Sequence, residues 1–182
     1  MLIDSHCHLE YEGLADRQDE VLANARAAGV QGFLNISTRR SEWERVVGTA
    51  TRESDVWASV GIHPHEADAH EDLGAAELRA ATDNPRVIGI GETGLDYYYD
   101  KSDRAVQQAL FRCVRDLAIA VRPVVPTAAD ALLDQMGIAA DARDYAEIGN
   151  AHWFETLVES GFVVGQPTGV FPRLEMPDAE AA

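Results

Sequence analysis

The sequence predicts an α/β protein in which about four βα units build a parallel sheet and a helical segment follows. Three observations carry this reading. Short apolar runs recur at Leu2–Asp4, Gly32–Ile36, Val56–Ile62 and Val87–Ile90, spaced roughly 25–30 residues apart, enough for one strand, one helix and their loops. Between them the apolar residues switch to the three-and-four spacing of a helix. Each run then ends in a polar cluster: His6 and His8, "STRR", "GIHPHE", and "GIGETGLDYYYD". Strands separated by helical crossovers are parallel, and a parallel sheet carries its chemistry where strands end.

The elements follow in order. Leu2–Asp4 is too short for a helix and suits a buried strand. Val21, Leu22 and Ala25 form a helix face that ends before Gly29, a natural stop. Ser41 with Glu44 reads as a capping box that opens a helix carrying Trp43, Val46, Val47 and Ala50. Asn84-Pro85 breaks a third helix before the fourth strand. From Ser102 the rhythm changes. Ser102 caps a helix through Val106, Leu110, Cys113, Leu117 and Val121, which Pro123 and Pro126 stop. Thr127 caps a second helix that buries Leu132, Leu133 and Met136 and closes at Gly137. Asn150 caps a third with Trp153, Phe154, Leu157 and Val158 before Gly161. "RPVVP" is strand-like but framed by prolines. The ending "GQPTGVFPRLEMPDAEAA" reads as extended.

Composition narrows the function. With 182 residues, 46% hydrophobic and 25% charged, the chain has the make-up of an ordinary globule with one sizeable core. No apolar run reaches membrane-span length and the N-terminus lacks a signal-peptide pattern, so the expectation is a cytoplasmic protein without a membrane partner. Two cysteines make no disulfide framework. The net charge is −16, with 31 acids against 15 bases, and Lys101 is the only lysine. Such a chain lacks the basic footprint of a phosphate-gripping nucleic-acid binder. If it acts on phosphate esters, bound cations must supply the positive charge.

The candidate chemistry lies at the strand ends. Side chains alternate along a strand, so His6 and His8 share one face and Cys7 points to the other, into the core. Two imidazoles about 7 Å apart along a strand can reach one metal ion. Glu92 follows the fourth strand, beyond "IGIG", whose small residues permit close approach. Nitrogen and carboxylate donors suit zinc, manganese or a similar divalent ion, and a carboxylate can bridge two ions. The plainer alternative is a polar rim with Glu92 capping a turn. His63 and His65 can hydrogen-bond a phosphate or substrate oxygen, His63 the better placed because it directly follows the strand; solvent-facing loop histidines are the alternative. Asp96 can orient a ligand histidine, or simply serve a turn. Tyr97, Tyr98 and Tyr99 can wall a base or sugar, or pack within their loop. His152 reads as a surface or packing residue.

"LIDSHCHL", "LNIST", "ASVGIHPHEA" and "IGIGETGLDYYYD", in this order from Met1 to about Arg112, resemble the TatD family of metal-dependent deoxyribonucleases. The resemblance implies a (β/α)8 TIM barrel, here partial with about four βα units, and a site holding two divalent ions (Mg, Mn or Zn). It implies hydrolysis of phosphodiester bonds in DNA or a small phosphoester. Carried over, His6, His8 and Glu92 match metal ligands and His63 a residue of the active-site rim, so Glu92 and His63 are the catalytic candidates. The chain departs from the pattern afterwards. In "RPVVPTAAD", Pro126 stands where the family has a ligand histidine; a sixth-strand histidine and an "ETDSP"-like aspartate are absent. An eight-unit barrel takes roughly 250 residues. The expectation is one ion or none, impaired turnover, and an open sheet edge through which chains can self-associate. Residues 113–182 instead resemble the C-terminal end of bacterial methionyl-tRNA synthetases, within the helical anticodon-binding domain. HIGH-like and KMSKS-like signatures are absent, which excludes aminoacylation. The expected division is a TatD-like half-barrel over 1–112 and a helical tail over 113–182. The alternative function is an inactive hybrid with a residual metal site and a tail that packs or binds a partner.

Overall fold

Four parallel strands lie side by side in chain order: β1 (Leu2–Cys7), β2 (Val30–Ile36), β3 (Val56–Val60) and β4 (Val87–Ile90). The intervening helices are α1 (Gln18–Ala27), α2 (Trp43–Arg52) and α3 (Ala75–Ala81), followed by α4 (Arg104–Val121) and α5 (Pro126–Gln135). The structure, a computed structural model, describes residues 2–123, 126–150, 152, 154 and 155. The chain divides into two compact units, Met1–Val114 and Arg115–Ala182. No helix among the described residues is long and apolar enough to cross a membrane.

In the first unit the core lies between one face of the sheet and its helices. Val56, Ala58 and Val60 alternate along β3 and are fully buried. Val56 and Ala58 pack with Phe33 of β2, Leu22 of α1, Val46 and Ala50 of α2, and Leu9. Each large side chain so buried contributes about 1.5–3 kcal/mol. The spacing of Trp43, Val46 and Ala50 puts all three on the sheet side of α2, where the Trp43 indole N–H also donates to the Gly61 carbonyl at 3.0 Å. Arg86 ties the far end of α2 to β4. Its guanidinium donates to the carbonyls of Ala50, Glu53, Ser54 and Val56, placing a cation at the negative end of the helix.

Several local expectations change. β1 extends to Cys7, and its apolar start is open rather than buried: Leu2 is 45% and Ile3 40% exposed. The cause is position, because β1 and β4 are the sheet edges, and among the described residues neither has a partner on its outer side. Ile88 of β4 is likewise 59% exposed. The Ser41–Glu44 capping box does not form. The chain enters α2 through a 3₁₀ turn at Arg40–Glu42 with no side-chain cap. Instead the Glu42 carboxylate turns back to accept from the Thr38 amide (2.9 Å) and hydroxyl (3.1 Å). Asp103, not Ser102, caps α4 by accepting from the amides of Ala105 (2.8 Å) and Val106 (3.2 Å). Ser102 Oγ is drawn away to the His65 carbonyl at 2.8 Å. Pro126 opens α5 instead of ending α4.

The second unit holds the rest of α4 and α5. Leu117, Ala118, Ile119, Ala129, Leu133 and Met136 are buried there. Arg143, itself buried, donates to the Ile138 carbonyl and the carboxylates of Asp130 and Asp134. The third tail helix and the extended ending lie almost wholly outside the described residues.

Beyond the ends of β3 and β4 the backbone comes into direct contact at two glycines. A Cβ at Gly61 would sit 2.6 Å from the Gly91 carbonyl carbon and 2.7 Å from its Cα, so backbone would have to move. Gly48, exposed in mid-α2, has nothing within 4 Å. Gly61→Ala is therefore expected to cost several kcal/mol, about 3 or more, in thermal or denaturant unfolding. Gly48→Ala should stabilise by about 0.5–1 kcal/mol.

Arg26 of α1 bridges Asp55 (2.6 and 2.8 Å) and Glu53 (2.8 Å). Its hydrogen bonds hold both carboxyls below their usual range. A depressed carboxyl stabilises above its unfolded pKa and loses that contribution as pH falls through the folded value. Arg26→Ala should cost about 1 kcal/mol at pH 7, and the gap between variant and parent should close as pH drops below about 4 in denaturant titrations.

Candidate metal centre

His6 is the last residue but one of β1, and His8 stands just beyond the strand. A buried polar network fixes the chain there. Asn35 of β2 accepts the Leu9 amide at 3.0 Å, and Gln18 of α1 donates to the Leu9 carbonyl at 3.0 Å. The Glu10 carboxylate accepts from Gln18 (2.8 Å) and from the Thr49 hydroxyl (2.9 Å). Buried polar groups so satisfied hold one arrangement. Cys7 points the other way, packs against the core cluster and donates Sγ–H to the Leu34 carbonyl at 3.3 Å. Burial, aided by Asp4, pushes its thiol up to about 12, which leaves it inert.

Glu92 arrives from β4. Gly91 N–H donates to the Val60 carbonyl at 2.9 Å, Ser59 Oγ–H donates to the Gly91 carbonyl at 3.0 Å, and Glu92 N–H reaches the Ser37 carbonyl at 3.2 Å. The result brings residues from opposite sheet edges together. His6 Nε2 lies 2.9 Å from Glu92 Oε2 and 3.1 Å from His8 Nε2, and one donor atom of each residue lies within 4.8 Å of the others. Adjacent ligand atoms around a common divalent ion at about 2.1 Å are roughly 3.0–3.4 Å apart, so the donor set fits an ion. His8 fits in a second way. Its Nδ1 is 3.0 Å from the Ile36 carbonyl, which can only accept, so Nδ1 carries the proton and Nε2 offers a lone pair.

His63 and His65 part company. His63 Nε2 lies 3.6 Å from Glu92 Oε1, beyond a direct hydrogen bond. Its Nδ1 accepts the His65 amide at 3.1 Å, so in the neutral ring the proton sits on Nε2 and faces the donor set. Burial pushes the His63 imidazole below its ordinary pKa, against the opposing pull of Glu92. His65 is turned away and pairs with Asp96. Asp96 thus holds His65, and not His6 or His8. Tyr11 stacks on His8 with centroids 4.4 Å apart and planes 11° apart. His152 is exposed beside Glu155. Tyr11 and Gln107 carry no spacing signal in the sequence, being a loop tyrosine and a helical glutamine, whereas Ser37 stands in the strand-end cluster "STRR". Gln107, 1% exposed, accepts the Asp96 amide at 2.8 Å and donates to the Ser102 carbonyl at 2.9 Å.

Parallel β/α units whose strand ends gather two imidazoles and a carboxylate define the class of β/α proteins with a candidate metal-ligand set at the C-terminal mouth. Within that class the family is specific: a model described as "TatD related DNase" matches residues 3–163, and the chain belongs to that family. The match passes residue 112 and takes in α5. The "3'-5' ssDNA/RNA exonuclease TatD" of Cronobacter turicensis is 42% identical over 94 residues, 52% of this chain and 36% of the relative. The "uncharacterized metal-dependent hydrolase YabD" of Bacillus subtilis is 30% identical over 160 residues, 87% of this chain and 63% of the relative. The crystal structure of the TatD homologue YJJV from Escherichia coli K12 superposes with a TM-score of 0.60 at 28% identity, covering 65% of this chain and 47% of that one. The four-stranded parallel sheet matches part of that fold. The chain spans about a third to two thirds of the length of these relatives.

Gln107 is expected to hold the loop that follows Glu92. Gln107→Ala should cost about 1–3 kcal/mol by leaving buried backbone groups unpaired. It should also speed hydrogen exchange at the Asp96, Tyr98 and Tyr99 amides; unchanged exchange would refute the role.

Proposed function

We propose that the chain is a TatD-type metal-dependent hydrolase that cleaves phosphodiester bonds of DNA, with reduced turnover. The observation that carries this reading is the meeting of His6, His8 and Glu92 from opposite edges of one sheet. A divalent cation held there would supply a Lewis acid that polarises the phosphoryl group and acidifies water. The chain's own residues do the rest. His8, oriented by the Ile36 carbonyl, presents Nε2, and His6 and Glu92 complete the donor set. His63 presents Nε2–H toward the same point and can donate to a phosphate oxygen. The cation would also offset the repulsion between a polyanion and a chain of net charge −16.

Reduced turnover is supported by the donor count. The cluster found among the described residues has three side chains, enough for one ion, whereas in-line displacement between two ions asks for more. A second reading, an inactive hybrid with a residual metal site, is favoured by the separate compactness of Arg115–Ala182. Calorimetric titration of the chelator-stripped chain with zinc or manganese should find one tight ion per chain. His8→Ala and Glu92→Gln should each weaken it by at least about 100-fold. Slow hydrolysis of a DNA oligonucleotide should vanish in both variants. A folded chain that binds no ion would overturn the metal reading; ion binding without cleavage under any divalent metal would select the hybrid.

A further inference from the structure

We propose that Tyr98 and Tyr99 form a base-stacking subsite beside the candidate metal centre, a pair of rings that grips the bases of a nucleic-acid substrate. The proposal rests on the phosphodiester reading above and adds to it the groups that grip the substrate. Three consecutive tyrosines have separate fates. Tyr97 is used by the fold: its hydroxyl accepts from Gln108 at 2.9 Å, and the Arg104 guanidinium lies 4.7 Å from its ring centroid. Tyr98 is 87% exposed and Tyr99 63%. The two rings meet edge to face, 4.9 Å apart at 88°. Aromatic rings are normally buried for their large apolar area, so an adjacent pair left in solvent calls for a use.

The pair is held in place. The Asp96 carboxylate accepts the amides of Tyr98 (2.9 Å) and Tyr99 (3.1 Å), while Gln107 and His65 anchor Asp96 itself. The ordering cost of binding is therefore already met in part. The pair also leads to the donor set. The Tyr99 ring lies against His65 (5.6 Å), His65 against His63 (4.4 Å), and His63 Nε2 is 3.6 Å from Glu92. From the opposite sheet edge Tyr11, 43% exposed, stacks on His8. The aromatic contacts thus run from Tyr99 through His65 and His63 to Glu92 on one side, and from Tyr11 to His8 on the other.

Charge selects the occupant's grip. Arg39 and Arg40, at the end of β2, are each engaged by two carboxylates, and Arg104 by Asp100. These three guanidiniums are therefore already engaged by carboxylates, which leaves the exposed Lys101, two residues beyond Tyr99, to meet a phosphate. Base faces are uncharged, and stacking on aromatic side chains is worth about tenfold or more in affinity per base, with little regard to sequence.

The test uses a phosphorothioate hexanucleotide with 2-aminopurine at its 3′ end, whose fluorescence falls on stacking, in magnesium buffer. The intact chain should quench it. Tyr98→Ala with Tyr99→Ala should weaken binding at least about tenfold and remove the quenching, while Tyr98→Phe with Tyr99→Phe should keep both. A probe with abasic terminal positions should bind the intact chain as weakly as the normal probe binds the alanine double variant. Metal titration and circular dichroism of each variant report folding. Equal binding by the alanine variant, equal binding of the abasic probe, or no quenching by the intact chain overturns the subsite. Repeating the titration with His8→Ala separates the two readings: quenching that survives loss of the ion supports the tyrosines even if the hydrolase reading fails.

Discussion

Two backbones meet without side chains at Gly61 and Gly91, and the arrangement of the mouth depends on that contact. Even one methyl group at Gly61 would fall inside van der Waals range of the Gly91 backbone. Because nothing intervenes, the residues after β4 lie directly over the ends of β2 and β3. Gly91 then bonds to Val60 and Ser59, and Glu92 to Ser37. A carboxylate that follows the last strand of the sheet is carried across to histidines that end the first.

The histidines are held by different physics. On their side the fold relies on a satisfied polar cluster within the core, where Glu10, Gln18, Asn35 and Thr49 bond one another and the backbone around Leu9. Low dielectric makes such a cluster costly to disturb, so it specifies one path for the loop carrying His8. The site therefore joins a steric constraint on the β4 side to a polar one on the β1 side. Carbonyl and amide contacts then set the ring protons: the Ile36 carbonyl turns His8 into a lone-pair donor at Nε2, and the His65 amide turns His63 into an N–H donor.

Legibility in the sequence differed by kind of signal. The four strands and the helices between them were readable because burial imposes a period, and Val56, Ala58 and Val60 or Val46 and Ala50 display it directly. Helix starts were less readable. Ser41 and Glu44 have the right spacing for mutual capping, but Glu42 bonds Thr38, and the chain enters α2 by another turn. Ser102 looked like a cap, yet His65, distant in sequence, claims its hydroxyl and leaves the role to Asp103. Capping is a local competition that non-local partners decide. The same holds for Asp96, whose partner among four candidate histidines is His65.

By itself the sequence determined the periodicity of the strands and helices, the chemistry of the donor residues, the acidity of the chain and its family motifs. These are properties of residue type and spacing along one dimension. Tertiary structure alone decided which strand ends meet, which imidazole nitrogen faces the donor set, and which of three neighbouring tyrosines the fold consumes. Those outcomes depend on distances between residues as far apart as His6 and Glu92, and only packing in three dimensions sets such distances.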